Sequence, residues 1–238
     1  MRKFLCVFLI FASFLSCRST NVNWASIACL VNGTSYFTGI IQEVVKEIEN
    51  EVRWCNLKLD DINQFVNTSY YNWRVLGPVN YSNGFTISVQ DLSILNIKTI
   101  FSTKNENGRE YGDAYIEGTL RISGLKVGFD VKTNFEDSGE RHFTSVHEYE
   151  TTTMLLWMNR NLLTNETTSS SGTLSIPKPR DVRHVYLPKS NITEVLSRHF
   201  VPNVNAGSIG RWGREIIAPL IPKHAAKFDF PEIRFDKC

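Results

Sequence analysis

At 238 residues, 42% hydrophobic and 21% charged, the chain can bury one ample core, and a single large domain is expected rather than two. The formal charge of +2 turns into 23 cations against 24 anions once residues 1–19 are set aside. That near-neutrality excludes a general polyanion-binding surface and, with it, nucleic acid as a partner.

The first element is a leader. Arg2 and Lys3 precede an apolar run over residues 4–15, followed by Ser16, Cys17 and Ser19. That is the pattern of a secretory signal peptide over residues 1–19, and the run falls short of the roughly 18–20 residues that a membrane-spanning helix needs. No later stretch is apolar for long enough to span. The expected mature protein, residues 20–238, is a secreted, extracellular domain without a transmembrane segment. Cleavage leaves Cys29, Cys55 and Cys238, enough for one disulfide and one spare thiol. Pairing Cys29 with Cys55 would close a loop worth about 3–4 kcal/mol on the chain-entropy model. It would also require the chain to fold back along a helix, and Cys238 is an alternative partner for either. The spare thiol leaves a disulfide-linked dimer open, beside a non-covalent one. Five Asn-x-Ser/Thr sequons, at Asn32, Asn67, Asn80, Asn165 and Asn191, mark a glycoprotein if the leader routes the chain through secretion.

A helix follows. Phe37, Ile40, Ile41, Val44, Val45, Ile48 and Val52 form one apolar stripe about four turns long, with Gln42, Glu43, Lys46, Glu47, Glu49 and Asn50 opposite. From residue 84 the period becomes two. Phe85, Ile87 and Val89 alternate with polar residues; Leu95, Ile97, Thr99 and Phe101 continue after a parity slip around residues 92–95. A turn is expected over residues 105–108. Ala114, Ile116, Gly118, Leu120 and Ile122 then share a face until Ser123 and Gly124 shift the parity to Leu125, Val127, Phe129 and Val131. Such a shift inside an unbroken strand predicts a sharp bend. A turn at residues 137–140 leads to a strand near residues 142–157, and residues 174–186 are expected to be extended. A last helix carries Ile209, Trp212, Ile216, Ile217, Leu220 and Ile221, with Pro219 expected to kink or end it near Ala218. The order helix, curled sheet, helix gives an α+β plan without βαβ alternation.

Catalytic signatures are missing. Gly207, Ser208 and Gly210 have the wrong spacing for a nucleophile elbow, and His147-Glu148 lacks the second His of a zinc protease. His142, His184, His199 and His224 stand alone in sequence. Cys29 and Cys55 have little of the basic neighbourhood that a nucleophilic thiol needs. No enzyme activity, metal or cofactor is expected. What stands out is apolar surface: amphipathic helices and one-sided strands that either seal a core or leave a space for a ligand. The candidate ligand-binding residues, by parity, are Ile41, Val44, Ile48, Val89, Ile116, Leu120, Val127, Phe129, Ile216 and Leu220.

The helix over residues 40–52 leading to Leu57-Lys58-Leu59-Asp60-Asp61, the stretch Gly84-Phe85-Thr86-Ile87-Ser88-Val89, the bent strand over 116–131 and Asp181-Val182-Arg183-His184-Val185 resemble, in arrangement, the mite group-7 allergens. Their insect takeout and juvenile-hormone-binding relatives share the superfamily of bactericidal/permeability-increasing protein, the TULIP lipid-binding group. The resemblance implies a strongly curved antiparallel sheet wrapped around a long amphipathic helix, with a C-terminal helix. It also implies non-enzymatic carriage of a hydrophobic small molecule or lipid. The N-terminal paired cysteines and the Ile-Pro-x-Leu stretch of the hormone binders are not evident, which sets juvenile hormone aside as the specific ligand. The alternative is an innate-immunity module for microbial surfaces, of the lipopolysaccharide type, or for another protein. It would use the basic end of the chain, where residues 178–238 hold eleven Lys or Arg against six Asp or Glu.

Overall fold

A computed structural model describes residues 27–106, 109–176, 178 and 181–235. The leader expected over residues 1–19 and Cys238 lie outside the described residues, as do positions 107 and 108 of the turn expected over 105–108. The described chain is an α+β fold built on a mostly antiparallel sheet. In order it forms β1 (Cys29–Leu30), α1 (Gly33–Glu47), β2 (Ile62–Tyr70), β3 (Trp73–Ser88), β4 (Asp91–Glu106), β5 (Arg109–Phe135), β6 (Gly139–Asn161), β7 (Thr167–Ser175), β8 (Val182–Leu187), α2 (Asn191–His199), α3 (Ala206–Trp212), α4 (Ala218–Ala225) and β9 (Ile233–Arg234). β1 and β9 make a two-stranded ribbon of their own.

Two long strands organise the main sheet. β5 runs for 27 residues and β6 for 23, and they pair from Asp113 opposite Asn161 to Phe135 opposite Gly139. The first half of β5 takes β4 as its neighbour and the second half takes β3; likewise β6 takes β8 early and β7 late. The result is two half-sheets sharing a spine: β4-β5-β6-β7 at one end and β2-β3-β5-β6-β8 at the other.

The spine bends where the alternation predicts. Ile122 and Leu125 are both buried, and Gly124 between them sits at φ +60. A Cβ there would meet Gln90 side-chain atoms at 2.6 Å, so only glycine fits both the backbone and the space. β6 makes the matching slip, with Tyr149 and Thr152 both buried. Ser123 therefore stays opposite Thr151 and Leu125 opposite Tyr149, and both strands turn together without losing register.

Other expectations move. In β3 the inward residue is Thr86, fully buried, while Phe85 and Ile87 face out at 39% and 42% exposure and Val89 is only half-buried. In β4 the slip lies between Leu95 and Lys98, where Asn96 adopts φ 52. Leu95 consequently points outward, while Leu92 and Ile94 keep to the inner side. The hairpin between β2 and β3 turns at Tyr71, at φ 54, without a glycine to advertise it.

The first helix buries Phe37, Ile40, Ile41 and Val44 as its stripe requires, then widens into a five-residue π-turn over Ile48–Val52. α1 packs against β4 and α4. Pro219 does not end the last helix. A second π-turn, Gly213–Ile217, separates α3 from α4 and places Pro219 in the first turn of α4, where a missing N–H costs nothing. Pro222 does lie inside α4. The Ala218 carbonyl that it leaves without a backbone donor accepts a hydrogen bond from Ser169 Oγ on β7 at 2.6 Å. α2, not separately predicted, starts at a capping box in which Ser190 and Thr193 exchange side-chain-to-backbone hydrogen bonds.

Cys55 is exposed with a free thiol, which removes the Cys29–Cys55 pairing. Asn32, Asn67, Asn80, Asn165 and Asn191 are all exposed. Among the described residues no helix is long and apolar enough to cross a membrane.

Candidate functional site

The helix stripe and the edge strand that meet it create a groove. Thr38, Ile41, Gln42, Val45, Lys46 and Glu49 line one wall, from α1 and the π-turn after it; Leu92, Ser93 and Ile94 of β4 line the other. Its volume is about 310 Å³, at the small end of the range in which single small molecules bind. The floor exists because of a glycine. A Cβ on Gly118 of β5 would lie 3.0 Å from Ile94 Cδ1 and 3.1 Å from Phe37 Cε1, so its absence lets both side chains settle onto the sheet. Val45, Leu92 and Ile94 are half-buried and pack against the core, leaving apolar surface facing the groove. The rim is polar, and Lys46 is held 3.7 Å from Glu43 one helical turn back.

The wall is anchored from behind. Glu47, on a neighbouring face of α1, accepts from Lys223 Nζ at 2.7 Å on both carboxylate oxygens and lies 2.8 Å from His224 Nε2, all across the α1–α4 contact. Hydrogen bonding from Lys223, helped by His224 and opposed by burial, holds the Glu47 carboxyl below the usual carboxylate range.

The ten sequence-derived ligand residues do not converge on this groove. Only Ile41 lines it. Val44 and Ile48 belong to the closed face of the same helical stretch. Ile116 and Leu120 are buried on β5 in the four-stranded half, and Val127 and Phe129 lie in the five-stranded half, with Phe129 against Tyr81 and His147. Val89, Ile216 and Leu220 are half-buried at the margins of the core. Val45 and Leu92 already showed in the sequence as apolar, but that they and Ile94 face one another depends on α1 meeting an edge strand fifty residues away in sequence, which alternation does not encode.

Other clusters lie away from the groove lining. Asp60 ties the segment before β2 to α3: Ser208 Oγ donates to its carboxylate at 3.1 Å and accepts from its backbone N–H at 3.0 Å, and Arg211 pairs with the same carboxylate. Trp212 Nε1 donates to the Lys58 carbonyl at 2.9 Å. His147 and His184, isolated in sequence, touch in space through Nδ1 atoms 2.7 Å apart. No group of three or more His, Cys, Asp or Glu among the described residues is placed to hold a metal. In the basic C-terminal region, Arg198, Arg211, Lys223 and Arg234 are engaged by Glu194, Asp60, Glu47 and Glu232.

No family model and no curated protein sequence matches the chain. Sixteen solved chains do match; among them is a crystal structure of a lipopolysaccharide binding protein, with a TM-score of 0.43 and 11% sequence identity. The match takes in 82% of this chain and 39% of that one, so this chain spans well under half the length of the protein it is similar to.

Proposed function

We propose that the protein is a secreted glycoprotein that carries a small hydrophobic, lipid-like molecule in the groove between α1 and β4, without catalysis. The observation that carries this reading is the groove itself: Ile41, Val45, Leu92 and Ile94 present apolar surface in a concave, polar-rimmed site beside an edge strand. The leader over residues 1–19 and five exposed sequons support secretion and glycosylation. The trough lies along the flank of α1 where the helix rests on β4, and α4 covers a neighbouring side of the helix.

A ligand gains about 25 cal/mol for each Å² of apolar surface removed from water, and association costs offset several kcal/mol of that. A site this small therefore binds one short apolar chain weakly. Expected affinity is micromolar or poorer.

The test is displacement of an environment-sensitive fluorescent fatty acid from the purified chain, alongside a Val45→Trp variant that fills the groove. Saturable uptake by the wild type, reduced about tenfold or more in the variant at unchanged circular dichroism, is the expected result. No uptake by the wild type, or equal uptake by both, overturns the reading.

A further inference from the structure

The five-stranded half encloses a polar knot on the other side of the bend from the groove. His147, on β6, has no exposed surface. Its Nδ1 lies 2.7 Å from Nδ1 of His184 on β8, and its Nε2 lies 3.0 Å from Ser145 Oγ. Its ring stacks on Phe200 with centroids 3.8 Å apart and planes 10° from parallel. Phe200 is the residue that ends α2, and it also meets the His184 ring edge-on at 5.3 Å. Tyr81, Phe129 and Tyr186 close the remaining sides. Beyond Phe200 the chain runs into the short turn Pro202–Asn205, held by Asn205 Nδ2 donating to Tyr149 OH at 2.6 Å.

The short Nδ1 to Nδ1 distance sets a rule on protons. One ring must donate and the other accept, so the pair keeps its bond while neutral or while sharing one extra proton. A second proton removes the only acceptor. Two Nδ1–H groups would then face each other across 2.7 Å, with two positive charges in an aromatic cage.

We propose that the His147–His184 pair is an acid-sensitive latch, which holds α2 and the turn after it on the sheet at neutral pH and releases them when the pair becomes doubly charged.

The surroundings favour release over accommodation. From β3 and β8 the titratable groups packed on the His147 ring are Tyr81 and Tyr186, whose hydroxyls bond each other; burial keeps both neutral, with Tyr81 pushed up to about 12, and Tyr149 two residues along β6 is raised by burial as well. β5 contributes Phe129, which does not titrate. On the solvent side His184 lines a pocket with Arg183, Lys189 and Glu194. Two of these carry the same sign as an imidazolium, and Glu194 is paired with Arg198 at 3.0 Å. Glu148, the next residue after His147, points to the outer face toward Lys126. No carboxylate among the described residues hydrogen-bonds either ring.

Burial, and then the charge of His184, pushes His147 well below the ordinary histidine range of 6.5, and burial lowers His184 from it as well. A base that is weaker in the closed state binds its proton more readily once released. Docking is thus complete above about pH 6.5 and is lost as the pH falls through the lowered values. Release uncovers Val195, Leu196 and Phe200, which are buried in the closed state.

The experiment is amide hydrogen exchange on the full chain at about pH 7.5 and about pH 5, corrected for the intrinsic pH dependence of exchange. Peptides covering residues 191–205 are expected to lose about tenfold or more of their protection at the lower pH while those of β5 keep theirs. In His184→Gln and His147→Phe that difference should vanish. Unchanged protection in the wild type, the same loss in both variants, or simultaneous loss across β5 overturns the latch. Should a variant fail to fold, imidazole titration of the wild type by NMR decides the matter. The second proton must be taken up below 6.5, and a pair found doubly protonated at or above it overturns the proposal.

Discussion

Single side chains settle accounts that the backbone opens. Pro222 withholds a donor from the Ala218 carbonyl, which sits on a buried residue, and Ser169 supplies one from a different element altogether. Removing that hydroxyl leaves a buried acceptor unmatched, at a cost of about 1–3 kcal/mol. Ser169→Ala is therefore expected to lower the urea midpoint by that amount of stability with an unchanged m-value, whereas a change within a few tenths of a kcal/mol would show that water fills the role. Pairings of this kind leave no trace in sequence. His147 and His184 are separated by 37 positions and meet only because β8 docks on β6 with Val146 opposite Val185. Asn96 is another silent case: a left-handed Asn moves the parity slip of β4 by a few residues and turns Leu95 outward.

Elements are where the sequence speaks most clearly. The α1 stripe is readable because one face of a helix must be covered, and the bend of β5 because alternation fails at a glycine. Pro219 is visible too, yet its outcome is not: a π-turn before it, in a stretch packed on β7, lets the helix run on with Pro219 in the first turn of α4. The tie between α1 and α4 gives the elements a pH dependence of their own. Glu47 has a carboxyl lowered by its partners, so its contribution is present above about pH 4.5 and disappears as acid protonates it through the lower folded value. Glu47→Gln should be less stable at neutral pH and show a shallower acid-side decline, read from urea midpoints across about pH 3 to 7. Parallel curves for the two proteins would mean that the helices are held by packing alone. Lys223 is half-exposed, so salt should weaken the difference.

At the scale of the whole molecule, the bent spine removes any boundary between the ends. Strands β5 and β6 carry core residues of the four-stranded half and of the five-stranded half on one uninterrupted backbone, with register kept through Gly124. Heating is expected to give a single calorimetric transition with matching calorimetric and van't Hoff enthalpies. Two resolved transitions would show that the bend acts as a hinge between units that melt separately. The groove lies on one side of the bend and the histidine pair on the other, so a ligand in the proposed groove and double protonation of the proposed latch would draw on the same cooperative reserve. Shortening the protein is consequently no route to a smaller folded unit: any truncation that trims a spine strand strips cover from both cores at once, and the fragment is left with bare, sticky strand rims that invite clumping instead of refolding.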